Sequence, residues 1–175
     1  MTDQNLKLDK NELKKLSNEL TYRRYLMGKG KIQELFQKMT LQEYIALYTI
    51  ASEEEETPEK KGRIYLRELS EKLQLTTRQT SRLMETLRDR GLVLWSYDGN
   101  GSEGTYVTIT ETGKQLYLEQ ESILKECYGK VIAKFGKDNL ILLLKLMKQL
   151  DTLMYEEIKE MGEADYHVKN DESTE

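Results

Sequence analysis

The 175-residue chain has one proline, one cysteine, one histidine, one tryptophan and two phenylalanines. A single cysteine, Cys127, excludes an internal disulfide framework and fits a reducing, cytoplasmic setting. His167 lies forty positions from Cys127, so the two make neither a familiar zinc site nor a nucleophile–base pair. The sequence therefore implies no metal, no cofactor and no catalytic set, and an enzyme is not the expected class. The longest unbroken apolar run is Leu140–Leu144, far short of the ~20 residues that cross a bilayer. The N-terminus is polar, and no secretory signal is expected there. Scarce proline, together with abundant Leu, Lys, Glu, Gln and Met, favours a mainly helical protein.

Net positive charge is also missing, except in one place. The chain carries a net charge of −4. Over residues 1–62 basic and acidic side chains balance, and residues 96–175 are strongly acidic. Only residues 63–95 are net positive, with Arg63, Arg67, Lys72, Arg78, Arg82, Arg88 and Arg90 against Glu68, Glu71, Glu85 and Asp89. Arginine dominates that set, and its planar fork suits phosphate and guanine. A general polycation is excluded, but a local basic face is not.

Leu13, Leu16 and Leu20 have helical spacing over Asp9–Met27, and Gly28 and Gly30 interrupt it. A shorter amphipathic piece with Ile32, Leu35, Phe36 and Met39 follows. Thr40-Leu41-Gln42-Glu43 reads as a capping box opening a helix that runs to about Ser52. Glu53–Gly62, closed by Pro58 and Gly62, reads as a solvated charged loop. Ile64-Tyr65-Leu66 is a very short strand, and Arg67–Leu73 a short helix burying Leu66, Leu69 and Leu73. After a turn at Gln74-Leu75, Thr76 with Gln79 three residues on caps a helix that buries Leu83, Leu87 and Thr80 and stops at Gly91. Val93, Trp95 and Tyr97 alternate, as do Val107 and Ile109, which gives two strands around the turn-rich stretch "SYDGNGSEGTY" at 96–106. Helix, tight turn, helix and hairpin form a winged helix-turn-helix.

Thr110 caps a long helix carrying Leu116, Ile123, Leu124, Cys127, Val131 and Phe135, which Gly136 breaks. The next helix, from about Lys137, is apolar nearly all round at Leu140–Leu144, then narrows to Leu146, Met147, Leu150, Leu153, Met154 and Ile158. A helix apolar on several faces must be covered on several faces, and a second subunit is the simplest cover. Beyond Gly162 the chain is polar and acidic and reads as disordered.

Leu69-Ser70-x-x-Leu73-x-Leu75, then Thr80-Ser81-Arg82-Leu83, Leu87, Gly91-Leu92-Val93 and Val107-x-Ile109-Thr110-x-x-Gly113 together resemble MarR-family transcriptional regulators over roughly residues 40–120. The resemblance implies a homodimer with interlocked terminal helices, one winged helix-turn-helix per subunit, and control of transcription that is often relieved by a small ligand or by oxidation. The implied fold is mainly α with a small β-hairpin wing. It divides into an N-terminal dimerisation segment (1–39), the DNA-binding domain (40–112), C-terminal dimerisation helices (113–162) and a tail (163–175).

Three departures stand out. The wing has no arginine at Gly101-Ser102-Glu103-Gly104, Leu94-Trp95 replaces a basic residue after Gly-Leu-Val, and Gln74 stands where a turn glycine is frequent. The loop at 53–62 is also longer than usual for the family.

On this reading double-stranded DNA is the partner. Arg78 and Gln79 are candidates for reading bases, and Thr77 and Ser81 for contacts near the backbone. Arg63, Arg67, Arg82, Arg88 and Arg90 are candidates for phosphate. The alternative is a winged-helix protein-interaction module that has lost DNA. Asp98 and Glu103 repel phosphate, so the wing is expected to add little affinity. Cys127 reads as a buried structural thiol, with redox sensing as the alternative. Tyr22, Tyr25, Tyr44 and Tyr48 are candidates for an effector pocket, with ordinary packing as the alternative. Leu143, Met147, Leu150 and Met154 are expected to hold the dimer.

Overall fold

In the computed structural model residues 9–28, 30–56, 62–99 and 104–171 are described. The chain divides after Ile123 into two units. The first opens with α1 (Lys10–Gly28), none of whose residues is buried. A short 3₁₀ turn (Lys31–Leu35) leads to α2 (Leu41–Glu56). Then come β1 (Ile64–Tyr65), α3 (Leu66–Leu73), α4 (Thr77–Asp89), β2 (Val93–Tyr97), β3 (Thr105–Ile109) and the first half of α5 (Glu111–Phe135).

Alternation and helical spacing converge on one core of Met39, Ala46, Leu47, Ile50, Ile64, Leu69, Met84, Leu87, Leu92, Val93 and Val107. The three strands pair antiparallel in the order β1–β3–β2. Val107 stands opposite both Ile64 and Trp95, so one sheet face is apolar and turned to the helices. Met84 is fully buried on α4 with Thr80 and Leu87, whereas Leu83, expected inside, is only partly buried. Each fully buried Leu or Ile contributes about 1.5–3 kcal/mol from apolar area alone.

The caps match the sequence reading. Glu43 N–H donates to Thr40 Oγ1 at 3.2 Å, and Thr40 N–H to a Glu43 carboxylate oxygen at 2.7 Å. Thr110 Oγ1 accepts from Gly113 N–H at 3.0 Å and donates to the Gly91 carbonyl at 2.7 Å, joining the start of α5 to the end of α4. Gly113 is required by that closeness: a Cβ there would lie 2.1 Å from the Leu92 carbonyl oxygen. Gln74 adopts the left-handed conformation that a glycine would take more cheaply, at φ 52 and ψ 43.

Two expectations are corrected. The acidic run is not a loop, because α2 continues through Glu56. Glu53 is buried at 2 % exposure and accepts from Lys72 Nζ at 2.6 Å, so a lysine on α3 makes its burial tolerable. That pairing keeps the Lys72 ammonium protonated to higher pH than usual, chiefly through the hydrogen bond to Glu53. Residues 57–61, with Pro58, lie outside the described residues.

The second unit holds the rest of α5 and α6 (Lys137–Asp171), separated by Gly136 at φ 94. The backbone of α6 is helical past Gly162 to Asp171, where a disordered tail from 163 was expected. Cys127 is half-buried on α5 rather than fully buried. Among the described residues, no helix is long and apolar enough to cross a membrane.

Candidate nucleic-acid interface

The exposed face of α4 is built from its own start. Thr76 lies outside the helix in an extended conformation, its hydroxyl accepting from Gln79 N–H at 3.2 Å. The Gln79 side-chain oxygen accepts in return from Thr76 N–H and from the Thr76 hydroxyl, each at 2.9 Å. Thr80 is turned into the core. Exposed on the first two turns are Thr77, Arg78, Gln79 and Arg82, with Ser81 half-buried beside them. Free backbone N–H groups and the helix dipole add positive potential at this end.

Of the two expected base readers, Arg78 is fully presented. Gln79 has its acceptor committed to the cap, which removes half of the bidentate pattern a glutamine offers to adenine. The sequence contained both assignments for Gln79, and the cap holds its carbonyl.

The remaining arginines differ in what holds them. Arg67 pairs with Glu71 one turn along α3 at 3.4 Å, and Arg88 with its neighbour Asp89 at 2.9 Å. Such exposed pairs contribute little and yield readily to a phosphate. The Arg63 guanidinium lies over the Tyr106 ring, 4.9 Å from its centre. Arg90 differs from the others: its Nη1 donates to Glu43 at 2.7 Å and its Nη2 to the Lys38 carbonyl at 2.7 Å, so its guanidinium is engaged by two acceptors although the residue is exposed. Its partners lie 47 and 52 positions away, which leaves no local signal in the sequence.

At the base of the wing, Asp98 N–H donates to the Gly104 carbonyl at 3.0 Å and the Tyr65 hydroxyl donates to the Asp98 carboxylate at 2.8 Å. That bond holds the Tyr65 proton more firmly than in a free phenol. Asp98 thus ties the hairpin to β1, a role its charge alone did not suggest. The tip, Asn100–Glu103, lies outside the described residues.

Two of the four candidate effector tyrosines gather around a third ring. Tyr44 and Tyr48 both meet the Tyr117 ring, at 5.7 and 6.3 Å, and Phe36 joins Tyr44 at 5.6 Å. Tyr22 and Tyr25 stand exposed on α1. Tyr117, missed in the sequence, is the centre of the cluster. Burial and donation to Glu121 at 3.0 Å push its hydroxyl well above the usual tyrosine range. An open cleft of about 620 Å³ is lined by Gln33, Phe36, Met39, Thr40, Leu41 and Gln42, and by none of the four tyrosines. On α6, Met147, Leu150 and Met154 are half-buried, and Leu143 is exposed along with Ile141, Leu142, Leu144 and Leu146. Among the described residues, no group of three or more His, Cys, Asp or Glu side chains is disposed to hold a metal.

Solved structures resemble this arrangement over most of its length. NMB1585 from Neisseria meningitidis, a MarR family regulator, superposes with a TM-score of 0.65 at 24% identity, over 82% of this chain and 96% of that one. The fold is that of the MarR family. MepR from S. aureus, solved as a complex with DNA, shares this MarR fold with a TM-score of 0.60 at 18% identity, over 79% of this chain and 97% of its own. Bordetella bronchiseptica BpsR, whose DNA binding is regulated by 6-hydroxynicotinic acid, gives 0.61 at 16% identity over 77% and 91%. No protein-family model and no curated protein matches the sequence.

Proposed function

We propose that the chain is a DNA-binding transcriptional regulator that works as a homodimer on a pseudo-palindromic duplex. The observation that carries this is the start of α4: Thr77, Arg78 and Arg82 are exposed on the one net-positive segment of an acidic chain. Arg78 reads bases and Gln79 contributes at most its amide N–H, with Thr77 and Ser81 near the backbone. Arg63, Arg67, Arg82 and Arg88 meet phosphates. The DNA complex of MepR, a protein of the same fold, supports the reading.

A second copy covers the apolar sides of α6 around Leu143, Met147, Leu150 and Met154, and sets two α4 helices about 34 Å apart, one turn of B-DNA. A small-molecule effector acts near the Tyr44–Tyr48–Tyr117 cluster, by analogy with ligand-regulated BpsR. The acid-bearing base of the wing favours one other reading, an interaction module without DNA. Binding of random duplex across rising salt separates the two. Counterion release makes affinity fall with a slope of about −0.9 per phosphate contact, and a flat line overturns the DNA reading. In sedimentation a dimer at micromolar concentration is expected, and a folded monomer there overturns the assembly.

A further inference from the structure

The face of α4 that is proposed to read DNA is held from its opposite end. Arg90, the residue that closes the helix, donates through two separate nitrogens to two separate acceptors, Glu43 and the Lys38 carbonyl. Glu43 is itself buried and fixed by the capping box that starts α2. The segment bearing Lys38 is held in turn from α5 by buried Gln120, which donates to the Leu35 carbonyl at 3.1 Å, with the exposed Lys38–Glu119 pair at 2.8 Å adding little beside it. One residue further on, the Gly91 carbonyl is gripped by Thr110. The end of α4 is therefore anchored to the start of α2 and, through the segment before it, to α5.

We propose that Arg90 is a positioning residue for DNA reading: by bridging Glu43 and the Lys38 carbonyl it sets the angle at which Arg78 and Arg82 are presented. The inference rests on the DNA-binding reading above. Geometry supplies the leverage. Thirteen residues separate the helix ends, or about 20 Å at 1.5 Å per residue, so a tilt of about 5° at the anchored end displaces the reading end by roughly 1.7 Å. Functional constellations tolerate about 0.5 Å. A phosphate-binding role, by contrast, asks the guanidinium to leave two good acceptors, one of them a buried carboxylate left behind.

The two roles differ in what they do to binding. The wild-type chain first selects a preferred duplex from a random pool. Affinity for that duplex and for random duplex, each across salt, is then measured for wild type, Arg90→Lys and Glu43→Gln, with thermal melts alongside. Lysine keeps the charge but as a point donor cannot span both acceptors. Positioning predicts that Arg90→Lys lowers the preference for the selected duplex about tenfold or more, leaves random-duplex affinity within about twofold, and leaves the salt slope unchanged. Glu43→Gln, which keeps the shape of the site, reduces the same ratio. Equal loss on both duplexes in Glu43→Gln and full rescue by lysine at position 90 overturn the proposal, as does a lowered melting temperature with the ratio intact. Failure of the wild-type chain to bind any duplex overturns both this inference and the reading beneath it. An unaltered ratio in variants of a chain that does bind overturns the inference alone.

Discussion

Replacing Gln74 by glycine should stabilise the protein, and the size of the gain follows from one backbone angle. Gln74 sits at φ 52 and ψ 43, with Gln74 N–H reaching the Glu71 carbonyl at 3.1 Å and Leu75 N–H the Ser70 carbonyl at 3.0 Å. That is the closing pattern helices usually complete with glycine. For an L-residue the left-handed region costs about 1–2 kcal/mol. Glycine removes that cost but adds about 0.4–1 kcal/mol of freedom to the unfolded chain. The Gln74 side chain is exposed, so no packing is lost. The net gain is about 0.5–1 kcal/mol, or roughly 1–4 °C in melting temperature for a chain of this size. Calorimetry at fixed protein concentration on Gln74→Gly, Gln74→Ala and wild type measures it. Alanine keeps the Cβ and should match glutamine to within about 0.5 kcal/mol. If glycine and alanine melt together, the strain argument is wrong. Because both turn hydrogen bonds are backbone bonds, duplex binding should be unchanged in the glycine variant.

Gly113→Ala should lower stability by about 3 kcal/mol in urea unfolding, since its Cβ meets the Leu92 carbonyl and the Ile109 side chain with no room to yield; an unshifted midpoint refutes the close approach. Lys72→Met should cost about 1–2 kcal/mol, discounted for the half-exposed lysine. Because the folded pKa of Lys72 is raised above the ordinary 10.5, its contribution is complete below that value and is lost as pH rises through the folded one. The melting gap to wild type should thus stay constant from about pH 6 to 9 and close in strong alkali, and a gap that instead varies near neutrality contradicts the pairing. Arg78→Ala should weaken the selected duplex by about 1–3 kcal/mol and relax its sequence preference; unchanged titrations remove the start of α4 from the interface.

The elements were legible because their signals are local. Thr40 with Glu43, Thr76 with Gln79 and Thr110 with Gly113 act across three residues, and each cap is present where the spacing put it. The left-handed turn at Gln74 falls where the family resemblance places a turn glycine, and no local pattern in the sequence marks it. Long-range pairs were not legible. Arg90 looked like a phosphate ligand because nothing near it in sequence claims its charge, while Glu43 and Lys38 lie 47 and 52 positions away. Glu53 looked solvated because four glutamates in a row usually are, and only the fold brings Lys72 to it. Gln79 shows a third limit, since one side chain fitted two local rules and the composition could not say which holds its oxygen.

The lopsided fastening of α4 bears on how this protein could be re-targeted. A cassette swap that replaces the helix together with its closing residue by those of another regulator discards Arg90 and with it the fit to Glu43 and the Lys38 carbonyl. Variation confined to Thr77, Arg78, Ser81 and Arg82 leaves the fastened end, the Thr76 cap and the buried Thr80, Met84 and Leu87 in place. A library built on those four positions therefore samples new surfaces on an unchanged scaffold, whereas one built on the complete helix samples scaffolds as well.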